Sequence, residues 1–224
     1  MAYHHGRLRE ALLGRAAEVI AEAGVEALSL RGLARDLGVS HAAPARHFPD
    51  RAALLAALAT EAFERSVALM RARAAAAGSN PIDRYQAFGL AYVEFAIGEP
   101  ALFRAMNHPE VQSCADEALL EARRVWLGAL RDGAEQARAA GWHPEADLST
   151  LVAYSFSAAM GAASLLSDPR WRQELALESE DVQQLAGEVL ELVVPSEAGN
   201  GARSAEATTI GTQNRTQSLR ARSI

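Results

Sequence analysis

The sequence predicts an all-α fold, and three observations carry that reading. Half of the 224 residues are apolar, and alanine and leucine dominate while β-branched side chains are few. No stretch alternates apolar and polar with period two over a useful length. Apolar residues recur instead at helical spacing, between recognisable start and stop signals.

Residues 1–6 read as a short arm. A helix from Arg7 to Ala23 places Leu8, Ala11, Leu12, Ala16, Val19 and Ile20 on one face, and Gly24 ends it. Ser29 caps the next helix, with Gly32 where a capping-box Glu would sit. Leu30, Leu33, Ala34 and Leu37 form its apolar stripe, and Ala34 is small where a crossing helix must come close. Gly38 suits the left-handed conformation that ends a helix, Val39 plugs the corner, and Ser40 caps a short helix over about 41–47. Pro44 removes that helix's first internal donor, which predicts an irregular first turn. Two short helices joined this tightly form a helix-turn-helix, whose second member can lie in a DNA major groove.

Asp50 caps a long helix from Arg51 to about Ala77, through Leu54, Leu55, Leu58, Phe63, Val67 and Met70. GSNP at 78–81 breaks the chain: Gly78 stops one helix, Asn80 caps the next and Pro81 suits its first turn. Further helices are expected at about 81–97, 100–106, 115–139, 145–167 and 179–193. From Pro195 the composition turns to Ser, Thr, Gly, Asn, Gln and Arg, which predicts disorder. The expected division is therefore a head at 1–50, a connecting helix at 51–77, a helical body at 78–194 and a tail at 195–224.

The net charge of −6 divides unevenly. Residues 1–73 carry 10 Arg against 8 acids, residues 78–194 carry 8 Arg against 18 acids, and the tail carries 4 Arg against 2 Glu. A near-neutral head with arginines at helix starts can bind phosphate, while an acidic body discourages non-specific adhesion. The lone Cys114 forms no disulfide within one chain and suggests a reducing compartment. No signal-peptide core opens the sequence. Residues 148–167 carry no charge over twenty residues, but six Ser/Thr and an acid at each boundary favour a helix buried in protein over a membrane span. A cytoplasmic location with no membrane partner is expected.

The residues expected nearest base edges are His41, Ala42 and Ala43: His41 can donate to guanine, and the alanines can meet a thymine methyl. Arg46 and His47 point to phosphate or an adjacent base, although His47 can equally pack against the first helix. Ser29 with Arg31, Ser40, and Asp50 with Arg51 open three helices, each presenting free N–H groups to phosphate. In the arm, Tyr3, His4, His5, Arg7 and Arg9 can reach phosphate or a minor groove. No metal site or cofactor is expected, because His4 and His5 lack partner ligands. Gly-rich phosphate loops, HExxH and nucleophile elbows are absent from the sequence, so catalysis is not expected.

YHHG at 3–6, SLRGLARDLGVSHAAPARHFPDRAALLAAL at 29–58 and PALFRAM at 100–106 resemble the TetR-type transcriptional regulators. PALFRAM with the later AGW turn is similar to the branch whose C-terminal domain is named for a Trp-His-Gly signature. The resemblance implies a homodimer, a three-helix DNA-binding head, and a ligand-binding body whose last two long helices pair between subunits. Two positions depart from the pattern. Ala45 stands where the family usually has an aromatic residue, and Phe156, Met160 and Gly161 stand where the branch signature would fall.

Tyr85, Phe88, Tyr92 and Phe95 recur at helical spacing in the body. They read as core or, given the resemblance, as one wall of a ligand cavity. The candidate lining is Tyr92, Phe103, Met106, Asn107, Trp126, Phe156 and Met160, which suits an apolar or aromatic small molecule. His108, Arg123, Tyr154 and Ser157 are further polar candidates. The function expected is a ligand-responsive repressor binding double-stranded operator DNA as a homodimer. The alternative is a constitutive DNA-binding or protein-docking module without an inducer.

Overall fold

Apolar spacing near the N-terminus sets the first element in the computed structural model, which describes residues 5–112 and 116–195. Helix α1 (His5–Ala23) buries Leu8, Leu12, Ala16 and Ile20, and ends where Gly24 takes a φ of +85°. It begins two residues earlier than the spacing suggests. A single 3₁₀ turn follows at Val25–Ala27, and then α2 (Leu30–Asp36). The Ser29 hydroxyl accepts from the Gly32 N–H at 3.1 Å, so the expected cap forms without a capping-box partner.

At the corner after α2, Gly38 sits at φ +65°, its N–H donating to Arg35 O while the Val39 N–H reaches Ala34 O. No atom lies within 4 Å of a Cβ added there, so only the backbone resists a side chain. Gly38→Ala is expected to cost about 1–2 kcal/mol, read as a lower urea midpoint at unchanged m-value. An unchanged midpoint would show that the corner relaxes freely.

The segment after the corner differs from expectation. Ser40 caps no helix; the Ala43 N–H donates to Ser40 O at 2.9 Å in a tight turn, and a 3₁₀ helix runs only over Pro44–Arg46. Pro44 explains this, because a residue without an N–H cannot return the first bond to Ser40 and its ring crowds the preceding turn. The irregularity thus occupies the whole element rather than its first turn.

Helix α3 (Arg51–Ala76) starts on the Asp50 carboxylate, which accepts from Ala53 N–H at 2.8 Å. It packs against α1 and then against α4 (Pro81–Gly98), α5 (Pro100–Met106), α6 (Pro109–Gln112) and α7 (Glu117–Ala139). Gly78 breaks the chain at φ +92°, and Asn80 Oδ1 caps α4 by accepting from Ile82 N–H at 2.8 Å. Asp116 and Asp147 cap α7 and α8 (Leu148–Ser167) in the same manner, at 2.9 and 3.0 Å. Short α9 (Pro169–Glu174) precedes α10 (Ser179–Val193). The buried core is continuous from Leu8 on α1 to Val194 after α10. The turn at 25–27, α6 and α9 were not expected from the sequence.

The Gly141 turn between α7 and α8 buries Trp142, whose indole N–H donates to Val193 O at 3.2 Å and whose ring meets Tyr85 at 5.3 Å. This pins the end of α10 to the body. Helix α8 is, among the described residues, the one helix long and apolar enough to cross a membrane. Here it packs on α4, α7, α9 and α10 along one side. Its other side exposes Ala153, Tyr154, Ser157, Gly161, Ser164 and Leu165. On α10, Val182, Ala186, Leu190 and Val193 face the core, Leu185 and Val189 are half-buried, and Leu192 is 72% exposed. Cys114 and the residues from 196 lie outside the described part of the chain.

Candidate nucleic-acid interface and internal cavity

The two turns that replace a reading helix leave a short, solvent-facing strip. Ser40, His41, Ala42, Ala45 and Arg46 are exposed, Ala43 and His47 are half-buried, and Pro44 is buried beneath them. Ser29 and Arg31, at the start of α2, are exposed as well. Arg9 holds its guanidinium 5.4 Å from the Phe48 ring centre, a cation–π contact on the strip's flank. His4 lies outside the described residues, and Arg7 is placed only as a backbone position of α1.

Arg51 is placed differently from its expected phosphate role. Its Nε donates to Leu28 O at 3.1 Å, Nη2 to Val25 O at 2.9 Å, and Nη1 to Glu110 Oε1 at 2.7 Å. All three nitrogens are engaged within the protein. An arginine opening a helix looks the same in sequence whether its partner is phosphate or a backbone carbonyl. The hydrogen bond from Arg51 holds the Glu110 carboxyl below the usual carboxylate range, opposed by desolvation.

Two more contacts join the same surfaces. Arg104 on α5 donates to Ile20 O and Ala21 O at 3.1 and 3.3 Å, capping the end of α1, and His108 Nε2 lies 3.7 Å from Glu26. The α5–α6 segment is thereby docked on the end of α1 and the turn after it.

Deeper in the body, α3, α4, α7, α8 and α10 line a small apolar cavity of about 20 Å³, room for about one water. Tyr85, Tyr92, Trp126, Ser155, Phe156 and Leu190 are among its walls, and no charged side chain lines it. Of the candidates read from the sequence, Tyr92, Trp126 and Phe156 come together here. Phe103, Met106, Asn107 and Met160 do not line it, nor do His108, Arg123, Tyr154 and Ser157. Phe103 meets the back of Tyr92 at 5.7 Å, and Met160 Sδ accepts from the Tyr92 hydroxyl at 3.5 Å. Asn107 also hydrogen-bonds Tyr92. These three support a wall residue from behind, whereas Met106 is simply core, 1% exposed.

Trp126 is the hub of this arrangement. Its ring packs against Phe63, Tyr92 and Phe156 at 5.9, 5.7 and 5.2 Å, mostly edge to face. Its indole N–H donates to the Ser66 hydroxyl on α3 at 3.2 Å, and Ser66 is fully buried. One cavity wall is thus bonded to the long helix that begins in the head. Burial raises the Tyr92 hydroxyl to about 12, opposed by the Asn107 hydrogen bond, and raises Tyr85 in the same direction. Both phenols stay neutral at ordinary pH. Met70, Gln86, Gly89 and Ser155 line the cavity without having been singled out for it. Gly89 admits Leu190 so closely that a Cβ would lie 3.1 Å from its methyl carbon.

Residues 12–58 match the family described as bacterial regulatory proteins, tetR family. A protein with unknown function from Rhodococcus sp. RHA1 is similar in structure, with 33% identity, a TM-score of 0.70, and coverage of 88% of this chain and 100% of that one. The TetR family transcriptional regulator PfmR from Thermus thermophilus is similar at 20% identity and TM-score 0.64, over 83% of this chain and 98% of its own. AibR, solved with isovaleryl coenzyme A and operator DNA, is similar at 17% identity and TM-score 0.63, over 84% and 98%. No curated protein matches the sequence.

Proposed function

We propose that the chain is a DNA-binding transcription regulator of the TetR family, whose description residues 12–58 match, and that it is a ligand-responsive repressor acting in the cytoplasm. It binds a two-fold-related operator as a homodimer. Residues 1–50 form the reading head, 51–77 the connecting helix and 78–194 the ligand-binding and dimerisation body. His41, Ala42 and Ala43 meet base edges, while Ser29, Arg31, Ser40, Arg46 and His47 hold the flanking backbone.

The observation that carries the ligand-responsive reading is the Trp126–Ser66 hydrogen bond, because it ties a cavity wall to α3. A ligand too large for the present cavity must move that wall, and so favours a different placement of α3 and the head. Its effect on DNA binding is bounded by its differential affinity for the two placements. Dimerisation is supported by the exposed apolar faces of α8 and α10, where Tyr154, Leu165 and Leu192 are uncovered beside small Ala153, Ser157 and Gly161.

Footprinting on DNA from the protein's own promoter region tests the reading. A protected two-fold site is expected, with a dimer in sedimentation at micromolar concentration. Arg46→Ala should weaken binding to all sequences and flatten the salt slope by about one unit, whereas His41→Ala should relax preference at one base position. A monomer in solution, or failure to select any consensus, overturns the proposal.

A further inference from the structure

The cavity's hydrogen-bonding groups can be assigned proton by proton. Ser155 sits on α8 with its hydroxyl 2.8 Å from Leu151 O, one turn back, and 3.3 Å from Val152 O. Its single proton is therefore held by the helix. Tyr85 OH lies 2.7 Å from Ser155 Oγ, so the phenol must be the donor in that contact. Of the other wall groups, the Trp126 N–H goes to Ser66 and the Tyr92 O–H to Met160 Sδ. One N–H of the Gln86 amide donates to Glu191, a carboxylate of α10.

Tyr85 and Ser155 are both buried, 3% and 6% exposed. With its proton committed, the Tyr85 oxygen keeps lone pairs and no hydrogen to offer. A molecule seated against it without disturbing the pair must bring the proton itself. A ketone, ester or ether there would set oxygen lone pairs against oxygen lone pairs in an apolar enclosure, where an unmet polar contact is most costly. An anion is disfavoured more strongly, because no cation lines the cavity.

Resting on the ligand-responsive reading above, we infer that the cavity takes a neutral, mostly apolar molecule bearing a hydroxyl, an alcohol or a phenol, whose O–H is accepted by the Tyr85 oxygen. With the Trp126 wall displaced to admit it, the remaining apolar walls receive the hydrocarbon part, and the Tyr85–Ser155–Leu151 chain supplies the polar end. Ser155 is a specificity-determining residue in this arrangement: it fixes which way the Tyr85 proton points, and so whether the site accepts or donates.

The test is calorimetric binding of 4-alkylphenols, ethyl to hexyl, against their methyl ethers of equal chain length. The full-length protein is expected to bind each phenol at least about tenfold tighter than its ether, the equivalent of one buried hydrogen bond. Tyr85→Phe should remove that difference from both sides, weakening the phenols by the loss of their acceptor and strengthening the ethers by the loss of the opposed lone pairs. Ser155→Ala frees the Tyr85 proton, so the ethers should gain affinity and the preference should shrink. Thermal melting of both variants checks that they remain folded. Equal binding of phenols and ethers, or an unchanged preference in Tyr85→Phe, overturns the hydroxyl rule while the ligand-responsive reading stands. Binding of neither series, with no effect on operator release, overturns both.

Discussion

Trp126→Ala is expected to lower the stability of the body by about 3–5 kcal/mol, the range for deleting a large buried aromatic side chain. Trp126 is 3% exposed, touches three aromatic rings from three different helices, and satisfies the fully buried Ser66 hydroxyl. Its loss removes apolar contact, leaves a cavity beside an existing one and leaves the Ser66 hydroxyl with only its 3.9 Å contact to Met70 Sδ. For a chain of this size each kcal/mol moves the melting point by about 2–4 °C, so a drop of about 10 °C is the result to look for. Circular dichroism is the readout, since the substitution removes one of three tryptophans. Trp126→Phe keeps a ring but not the N–H, and should fall between the two. A loss under 1 kcal/mol for the alanine variant would mean the cluster closes over the gap.

Arg51→Ala is the second large effect, and it separates two roles for one residue. The guanidinium satisfies the carbonyls of Val25 and Leu28, both nearly inaccessible residues, and reaches Glu110 on α6. Removing it leaves the Leu28 carbonyl unmet, at about 1–3 kcal/mol, measured by urea unfolding, while Val25 O keeps the Leu28 N–H at 3.1 Å. Were Arg51 a phosphate contact, the salt dependence of DNA binding would flatten by about one unit. The geometry predicts no such change, with affinity falling only as far as the head is misplaced. The same joint responds to acid. The Glu110 carboxyl is held below its ordinary value in the folded protein, so its contribution is complete above the usual carboxylate range. That contribution is lost as pH falls through the lowered value. In Arg51→Ala this part of the acid transition should disappear, and its persistence would locate the transition elsewhere.

Much of the helical framework was legible because its punctuation is local. Pro100 and Asn107 bracket α5 at the expected residues, Asp50 and Asn80 cap the helices they were read to cap, and Gly38 turns the corner. The short elements α6 and α9 were not legible: four and six residues are too few to show a period. The 3₁₀ segment at Pro44–Arg46 was half-legible, since Pro44 forecasts irregularity but not its extent. The cavity divides similarly. Tyr92, Trp126 and Phe156 announce themselves as aromatics, but Phe103 and Met106 share their chemistry and pack elsewhere. Ser155 hides in an apolar run, and Gly89 has no side chain to signal its closeness to Leu190. Their parts arise from helices that meet only after folding, and no spacing within one helix encodes that.

Because Trp126 is at once wall and pillar, the repertoire of molecules this chain can adapt to is constrained from within. A mutation that widens the cavity at Trp126 or Tyr92 also dismantles the cluster, and few proteins carry enough reserve to survive that loss. Drift is freer along the Gly89–Leu190 contact, where change alters cavity shape without touching the hub. Laboratory selection for new responses should therefore accumulate substitutions on the α4–α10 side first. Changes at the α3–α7 side should appear only after compensating stabilisation elsewhere.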